Sequence, residues 1–347
     1  MSGEVVLEVE DLAVEFRSPH GVVPAVDGLS YTVTAGRTLA IVGESGCGKT
    51  VSSLAVMDLL GPTAKVTRGS IRFRGTELLG MRPKERRAVA GDHVAMVFQD
   101  ALAALNPVHT VGYQLTESLR VRRGLSRADA RRRAIELLDL VKVPRAVDRI
   151  RDHPHQFSGG MRQRVMIAAA LAMDPEVLIA DEPTTALDVT VQAQILRLLA
   201  EIQAERQMGL VLITHDLGVV ATVADDVTVM YAGRAVEQAT AGDMFAAPGH
   251  PYTRALLRAV PSLGGQAGEP DRGRRRLAVI PGRPPRPGEI TTGCPFQPRC
   301  DAAIDVCATD DPPVVLLPGY RTSRCHVARE VMSVAAGRVD EAGAADE

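Results

Sequence analysis

Eight consecutive residues, Gly43-Glu44-Ser45-Gly46-Cys47-Gly48-Lys49-Thr50, follow the apolar run LAIV and precede an apolar, helix-like stretch. Glycines at these spacings let the chain turn tightly and bring successive backbone N–H groups around an anion, and the start of a helix adds a favourable dipole. A lysine there can neutralise the terminal phosphates of a nucleotide, and a threonine can offer its hydroxyl to Mg²⁺. Lys49 stands out because the chain has only three other lysines, Lys65, Lys84 and Lys142. A second apolar run, Val177-Leu178-Ile179-Ala180, ends in Asp181 and Glu182. An Asp at a strand end suits a Mg²⁺ shell, and the adjacent Glu suits polarising a water for attack on a γ-phosphate. Alone, an acidic pair before Pro183 is an ordinary helix-start turn. Together with the upstream loop, it reads as catalytic.

A third constellation identifies the branch. Phe157-Ser158-Gly159-Gly160-Met161-Arg162-Gln163-Arg164 precedes an Ala-rich helix, and Ser-Gly-Gly at a helix start is an anion-binding terminus. The octet resembles the signature of ATP-binding cassette (ABC) proteins, although the family usually has Gln where Met161 stands. The resemblance implies ATP and Mg²⁺, with Ser158, Gly159 and Gly160 gripping the γ-phosphate held by a partner subunit. It also implies that Gln99, in MVFQD, senses the γ-phosphate and the Mg²⁺-bound water. His215, in LVLITHD, takes the place of the switch histidine, and Phe16 that of the ring, usually Tyr, that stacks on adenine. Thr185-Ala186-Leu187-Asp188 resembles the loop that crosses the dimer interface.

Longer stretches narrow the resemblance. MYAGRAVE, HPYTRALLRAVPSL, IPGRPP and GCPFQPRC are similar to ATP-binding subunits of bacterial oligopeptide/dipeptide importers, a subfamily that also serves nickel and glutathione uptake. The resemblance implies a head-to-tail heterodimer with a second, paralogous ATPase, docked on two membrane permease subunits by the region between Gln99 and Ser158. An extracytoplasmic peptide-binding protein would deliver the solute. The chain would then sit peripherally on the cytoplasmic face of the membrane. A soluble ABC ATPase of nucleic-acid repair or translation is the rival class; such proteins carry two cassettes, a coiled-coil insertion or zinc knuckles, none of which is evident here.

The elements that must position these residues follow from pattern and composition. At 347 residues the chain has room for about two domains of roughly 150 residues. Hydrophobic residues make up 46% and charged residues 24%, which suits a globular core and excludes wholesale disorder. Acidic residues number 42 against 40 basic ones, so no chain-wide nucleic-acid footprint is expected. No run of about 18 apolar residues occurs, and the acidic, alternating N-terminus lacks the pattern of a signal peptide, so cytosolic residence is expected. Residues 4–42 and 69–79 read as strands, 50–60 as a helix, and 100–170 as mainly helical. Ser126 and Asp129 cap a helix whose Ile135, Leu138 and Val141 share a face. From 177 onward, strand, helix and strand alternate, with Ile195, Leu198, Leu199 and Ile202 at helical spacing and Gly209 as the expected stop.

The expected fold is therefore α/β: a P-loop ABC ATPase with a RecA-like parallel sheet core, an antiparallel β subdomain and a helical subdomain, plus a Cys-rich C-terminal extension. The ATPase domain is expected over 1–260 with its helical subdomain at about 100–170, the extension over 261–332, and a frayed tail over 333–347. Cys294, Cys300, Cys307 and Cys325 are spaced Cys-x5-Cys-x6-Cys-x17-Cys. Four thiolates suit either tetrahedral Zn²⁺ or an iron–sulfur cluster. The gaps are wider than those of zinc knuckles, so the expectation is a structural [4Fe–4S] cluster, with Zn²⁺ as the alternative. Such a site would cross-link a tail too poor in large apolar residues to order itself by burial.

Overall fold

The structure, a computed structural model, describes residues 3–19, 21–185, 187–260, 279–286, 289 and 292–334. Residues 261–278 of the expected extension and 335–347 of the expected frayed tail lie outside the described residues. Alternating β-branched residues near the N-terminus form β1 (Val5–Ser18), β2 (Gly21–Thr34) and β3 (Thr38–Val42). Next come α1 (Lys49–Val56), β4 (Ala64–Phe73), β5 (Thr76–Glu77), α2 (Pro83–Asp92, kinked at Ala90 and Gly91) and β6 (Val94–Val97). The helical stretch comprises α3 (Ala101–Ala104), α4 (Val111–Arg123), α5 (Arg127–Leu140), α6 (Ala146–Arg149) and α7 (Gly159–Ala170). Strands and helices then alternate through β7 (Val177–Asp181), α8 (Val189–Arg206), β8 (Gly209–Thr214), α9 (Leu217–Val223), β9 (Asp226–Tyr231), β10 (Arg234–Thr240), α10 (Ala241–Ala246) and α11 (Pro251–Ala259). Two short strands, β11 (Val314–Leu317) and β12 (Arg321–Arg324), follow in the C-terminal region, and a helical turn over 328–334 closes the described chain.

β2, β1, β4 and β5 make a four-stranded antiparallel sheet. The larger sheet has eight strands in the order β11-β12-β10-β9-β3-β8-β7-β6, and β9, β3, β8, β7 and β6 run parallel. Parallel strands buried on both faces read as continuous apolar runs, as VLIA and LVLIT do. Successive side chains point to opposite faces. Val177, Ile179, Val211 and Ile213 therefore join the core beneath the antiparallel sheet, while Leu178, Ala180, Leu210 and Leu212 join the core beneath the helices. Truncating one of the buried Leu or Ile side chains in these two sets to Ala would cost about 2–5 kcal/mol.

Local signals account for the helices. The Ser126 hydroxyl accepts from the Asp129 N–H at 3.1 Å and caps α5, with Leu138 and Val141 buried and Ile135 packed against the same cluster. α8 buries Ile195, Leu198, Leu199 and Ile202. Its stop differs from expectation: Gln207, at φ 52°, is the left-handed cap, and Gly209 already belongs to β8.

The tail joins the main sheet through β12, which pairs with β10 at Glu237–Ser323 and Gln238–Thr322. Phe296 is buried against Tyr231 and Tyr252, with ring centroids 5.3 Å from each. Arg254 holds Asp301 at 2.7 Å, and Arg234 bridges Asp27 and Asp311. Aromatic burial, strand pairing and ion pairs thus order this segment without a metal cross-link. Cys294, Cys300, Cys307 and Cys325 do converge, but on a cavity of only about 10 Å³, room for at most one water. Cys294 and Cys300 pack against the Tyr231–Tyr252–Phe296 core, and Cys325 packs with Leu317 and Ala328. Burial pushes the Cys300 thiol up to about 11 and the Cys325 thiol up to about 12. Among the described residues, no group of three or more His, Cys, Asp or Glu side chains is placed to hold a metal ion. The iron–sulfur expectation is overturned and the zinc alternative is unsupported; these cysteines pack as small apolar side chains. Among the described residues, no helix is long and apolar enough to cross a membrane.

Candidate functional site

The carboxyl ends of four adjacent parallel strands lie level with one another. Val97 on β6 pairs with Ala180 on β7, Asp181 with Ile213 on β8, and Thr214 with Val42 on β3. In such sheets ligands bind outside this edge. Gln99 leaves β6, Asp181 and Glu182 leave β7, His215 leaves β8, and the glycine loop leaves β3. Residues 116 positions apart or more, such as His215 and Gln99, are thereby gathered along one line.

The glycine loop is tailored at two points. A Cβ on Gly43, at φ +156°, would sit 2.2 Å from the Met230 carbonyl oxygen, and one on Gly48, at φ +100°, would sit 2.4 Å from that of Ala25. Only glycine allows this approach without moving the backbone. Lys49 is 5% exposed, and its Nζ donates to the Gly43 and Glu44 carbonyls at 2.8 and 3.0 Å. Cys47 is buried in the loop, and burial raises its thiol against the opposing charge of Lys49. The Glu44 carboxylate is held by Arg299 and its N–H by the Tyr252 hydroxyl, contacts invisible in the local motif.

Thr50 donates its hydroxyl to the Asp181 Oδ1 at 3.1 Å. Asp181 is 3% exposed, and burial raises its carboxyl above the ordinary range, opposed by the Thr50 hydrogen bond and raised further by neighbouring Glu182. A buried carboxylate beside a hydroxyl is a hard oxygen donor set of the kind Mg²⁺ takes. Glu182 gathers the remaining groups: Gln99 Nε2 donates to its Oε2 at 3.0 Å, Thr185 Oγ1 donates to the same oxygen at 3.0 Å, and His215 Nδ1 lies 3.4 Å from its Oε1. Glu182 also adopts φ 43°, a strained left-handed conformation costing about 1–3 kcal/mol, and its backbone N–H is tied to the Ile213 carbonyl at 2.9 Å. His215 and Gln99 remain exposed to solvent.

The Ser-Gly-Gly segment occupies a different place. Ser158 is exposed and caps α7, its hydroxyl accepting from the Met161 N–H at 3.4 Å. α7 packs on α3, α5 and α8, whereas α1, behind the glycine loop, packs on β1, β2 and β7. Gly159 and Gly160 lie beside Leu187 and Val191, and Asp188 caps α8 by accepting from the Val191 N–H at 2.9 Å. Ala186, in the same loop, lies outside the described residues. Phe16 is half-buried on β1, opposite Val23 and Ala64.

His250 extends the loop's support. Its Nδ1 accepts from the Tyr252 N–H at 3.0 Å, so it seats the residue that holds Glu44. Burial lowers its pKa to about 3, against a smaller opposing hydrogen bond with the Arg324 backbone. Buried Glu237 accepts from the Gly249 and His250 N–H groups alongside. Between pH 6.5 and about 3 the unfolded chain binds a proton at this histidine that the folded chain does not. This contribution to stability is complete above pH 6.5 and is lost as the pH falls through that window. Denaturant midpoints measured from pH 7.5 to pH 5 should therefore fall more steeply for the parent chain than for His250→Asn, and equal slopes would contradict this.

A glycine loop with its lysine, a strand-end Asp-Glu pair and a Ser-Gly-Gly helix start on one α/β framework define an ATP-binding cassette. The ABC transporter family model matches residues 26–185, and the model of the oligopeptide/dipeptide transporter C-terminal region matches residues 236–307. The chain is 48% identical to the oligopeptide transport ATP-binding protein OppD of Salmonella typhimurium over 315 residues, covering 91% of this chain and 92% of the relative. It is 47% identical to the dipeptide transport ATP-binding protein DppD of Escherichia coli, covering 92% and 96%. Among solved structures, the ATP-binding cassette MJ0796, a dimer bound to ADP and Pi, matches with a TM-score of 0.61 at 25% identity, covering 68% of this chain and 98% of that one. The cassette cbiO1 of Clostridium perfringens matches with a TM-score of 0.60 at 29% identity, covering 70% and 91%. The chain belongs to the oligopeptide/dipeptide-transporter family of ABC ATP-binding proteins and is an ATPase.

Proposed function

We propose that the chain powers import of oligopeptides or dipeptides across the cytoplasmic membrane by binding and hydrolysing ATP. The observation that carries hydrolysis is the gathering of Gln99, Thr185 and His215 on Glu182, one residue beyond the Asp181–Thr50 pair; the peptide cargo is supported by the similarity to OppD and DppD. In this reading, Lys49 and the N–H groups of Gly46, Cys47, Gly48 and Thr50 hold the phosphates, with Gly43, Glu44 and Ser45 shaping the loop. Phe16 stacks on adenine. Thr50, Asp181 and the amide oxygen of Gln99 hold Mg²⁺, which when bound neutralises charge on the β- and γ-phosphates. Glu182 accepts a proton from the attacking water, Gln99 and Thr185 fix its carboxylate, and His215 adds a donor at the outer edge. The φ strain at Glu182 is consistent with a side chain held where chemistry needs it.

Ser158, Gly159 and Gly160 serve the nucleotide of a second ATPase subunit, with Asp188 in the loop between the two. The exposed position of Ser158, on a helix packed away from α1, supports this reading. A paralogous partner, two membrane permeases and an extracytoplasmic peptide-binding protein complete the proposed assembly, with this chain peripheral on the cytoplasmic face. Leu102, Val108 and Tyr113, exposed at 55%, 75% and 46% between Gln99 and Ser158, offer an apolar docking surface for the permeases. The two-subunit mechanism predicts that the isolated chain binds ATP but hydrolyses it with a specific activity that rises with protein concentration. Full, concentration-independent turnover by a verified monomer would overturn it.

A further inference from the structure

Glu44, the second residue of the phosphate loop, is anchored more heavily than any motif requires. Arg299, 255 positions later, grips its carboxylate through both terminal nitrogens, at 2.6 and 3.0 Å. The Arg299 side chain is 5% exposed and that of Glu44 27%. The guanidinium has no slack: its Nε donates to the Pro281 carbonyl at 2.8 Å, one terminal nitrogen reaches the Tyr231 hydroxyl at 3.3 Å, and its carbon lies 5.8 Å from the Tyr231 ring centroid. The Glu44 N–H donates to the Tyr252 hydroxyl at 3.0 Å, and the Glu44 carbonyl accepts from Lys49 at 3.0 Å. The neighbouring loop positions include Gly43, Gly46 and Gly48, so Glu44 is the side-chain handle by which so pliable a loop can be held.

A planar, two-pronged Arg–carboxylate pair with this burial is directional, unlike a surface ion pair. Losing one partner would leave the other charge buried and uncompensated. Arg299 sits in Gln-Pro-Arg-Cys, between Phe296, which docks on Tyr231 and Tyr252, and Cys300, which packs against the same core. The pair therefore ties the seating of the C-terminal region to the shape of the phosphate loop.

We infer that Arg299 is a positioning residue for ATP: through Glu44 it sets the phosphate loop in its binding conformation, so that nucleotide affinity depends on how the C-terminal region is docked. This rests on the loop being the ATP site, as proposed above. Coupling of this kind is reciprocal, so ATP in turn tightens the docking of the C-terminal region.

The test uses the full chain and ATP with Mg²⁺. Arg299→Gln should raise Kd and KM for ATP about 5- to 20-fold while kcat stays within about twofold, because the groups around Glu182 are untouched. Glu44→Gln should do the same, and the double variant should be no worse than either single one, since both remove one interaction. Arg299→Lys, which keeps the charge but not the fork, should recover only part of the affinity. In the parent chain ATP should slow amide hydrogen exchange across 294–300, and Arg299→Gln should abolish that protection. A merely structural arginine would instead lower the melting temperature with KM unchanged, and that result, or additive effects in the double variant, would overturn the inference. If Arg299→Gln does not fold, the Glu44→Gln affinity and exchange data decide the matter. A parent chain that binds no ATP would contradict the site assignment itself.

Discussion

The Glu182→Gln variant is expected to bind ATP as tightly as the parent chain and to turn it over about 10²-fold more slowly or worse, the scale of a lost general base. The amide keeps an oxygen that can accept from Gln99 and Thr185, which reach Glu182 Oε2 at 3.0 Å each, so the local geometry survives. What it loses is the capacity to take a proton from water. The Asp181–Thr50 pair is untouched, so Mg²⁺ and nucleotide affinity should hold. Single-turnover hydrolysis read beside equilibrium ATP binding separates the two effects, and parent-like hydrolysis with tight binding would remove Glu182 from the reaction. The substitution should also favour the closed, ATP-bound dimer, visible as a shift to higher mass in ATP.

Lys49→Ala is expected to act on binding instead. Its ammonium rests on the Gly43 and Glu44 carbonyls, 2.8 and 3.0 Å away at the floor of the loop, within reach of any phosphate the loop encloses. A charge-assisted hydrogen bond contributes about 1.5–3 kcal/mol. Losing one corresponds to an affinity for ATP weaker by about 10- to 150-fold. Titration with a fluorescent ATP analogue reads this directly. Unchanged affinity would mean that the phosphates sit elsewhere.

What the sequence discloses here, and what it hides, divides by range. The strand–loop–helix around Lys49, the strand ending in Asp181 and Glu182, and His215 closing LVLIT are local patterns whose spacing carries their geometry, and the parallel sheet lines them up as alternating strands and helices imply. The cap on α5 was equally legible, because Ser126 and Asp129 are three positions apart. The end of α8 was not: Gly209 looked like the stop, but Gln207 takes the left-handed turn and frees Gly209 to open β8. The cysteine spacing suggested ligands because four thiols are conspicuous in sequence, whereas the burial of Phe296 and the pairing of β12 with β10 depend on partners far along the chain. Arg299 was hidden for the same reason. Its only local mark is a charge inside Cys-Pro-Phe-Gln-Pro-Arg-Cys, and nothing in that spacing points to Glu44.

The central claim is tested most directly by reconstituting the chain in proteoliposomes with its proposed partners, two permease subunits, a second ATPase and a peptide-binding protein, and measuring uptake of a labelled oligopeptide. ATP with Mg²⁺ on the side bearing this chain should drive accumulation of the peptide against its gradient, and Glu182→Gln in this chain should suppress it together with ATP turnover. Peptide accumulation that continues unchanged without ATP, or with this chain omitted, would contradict the account.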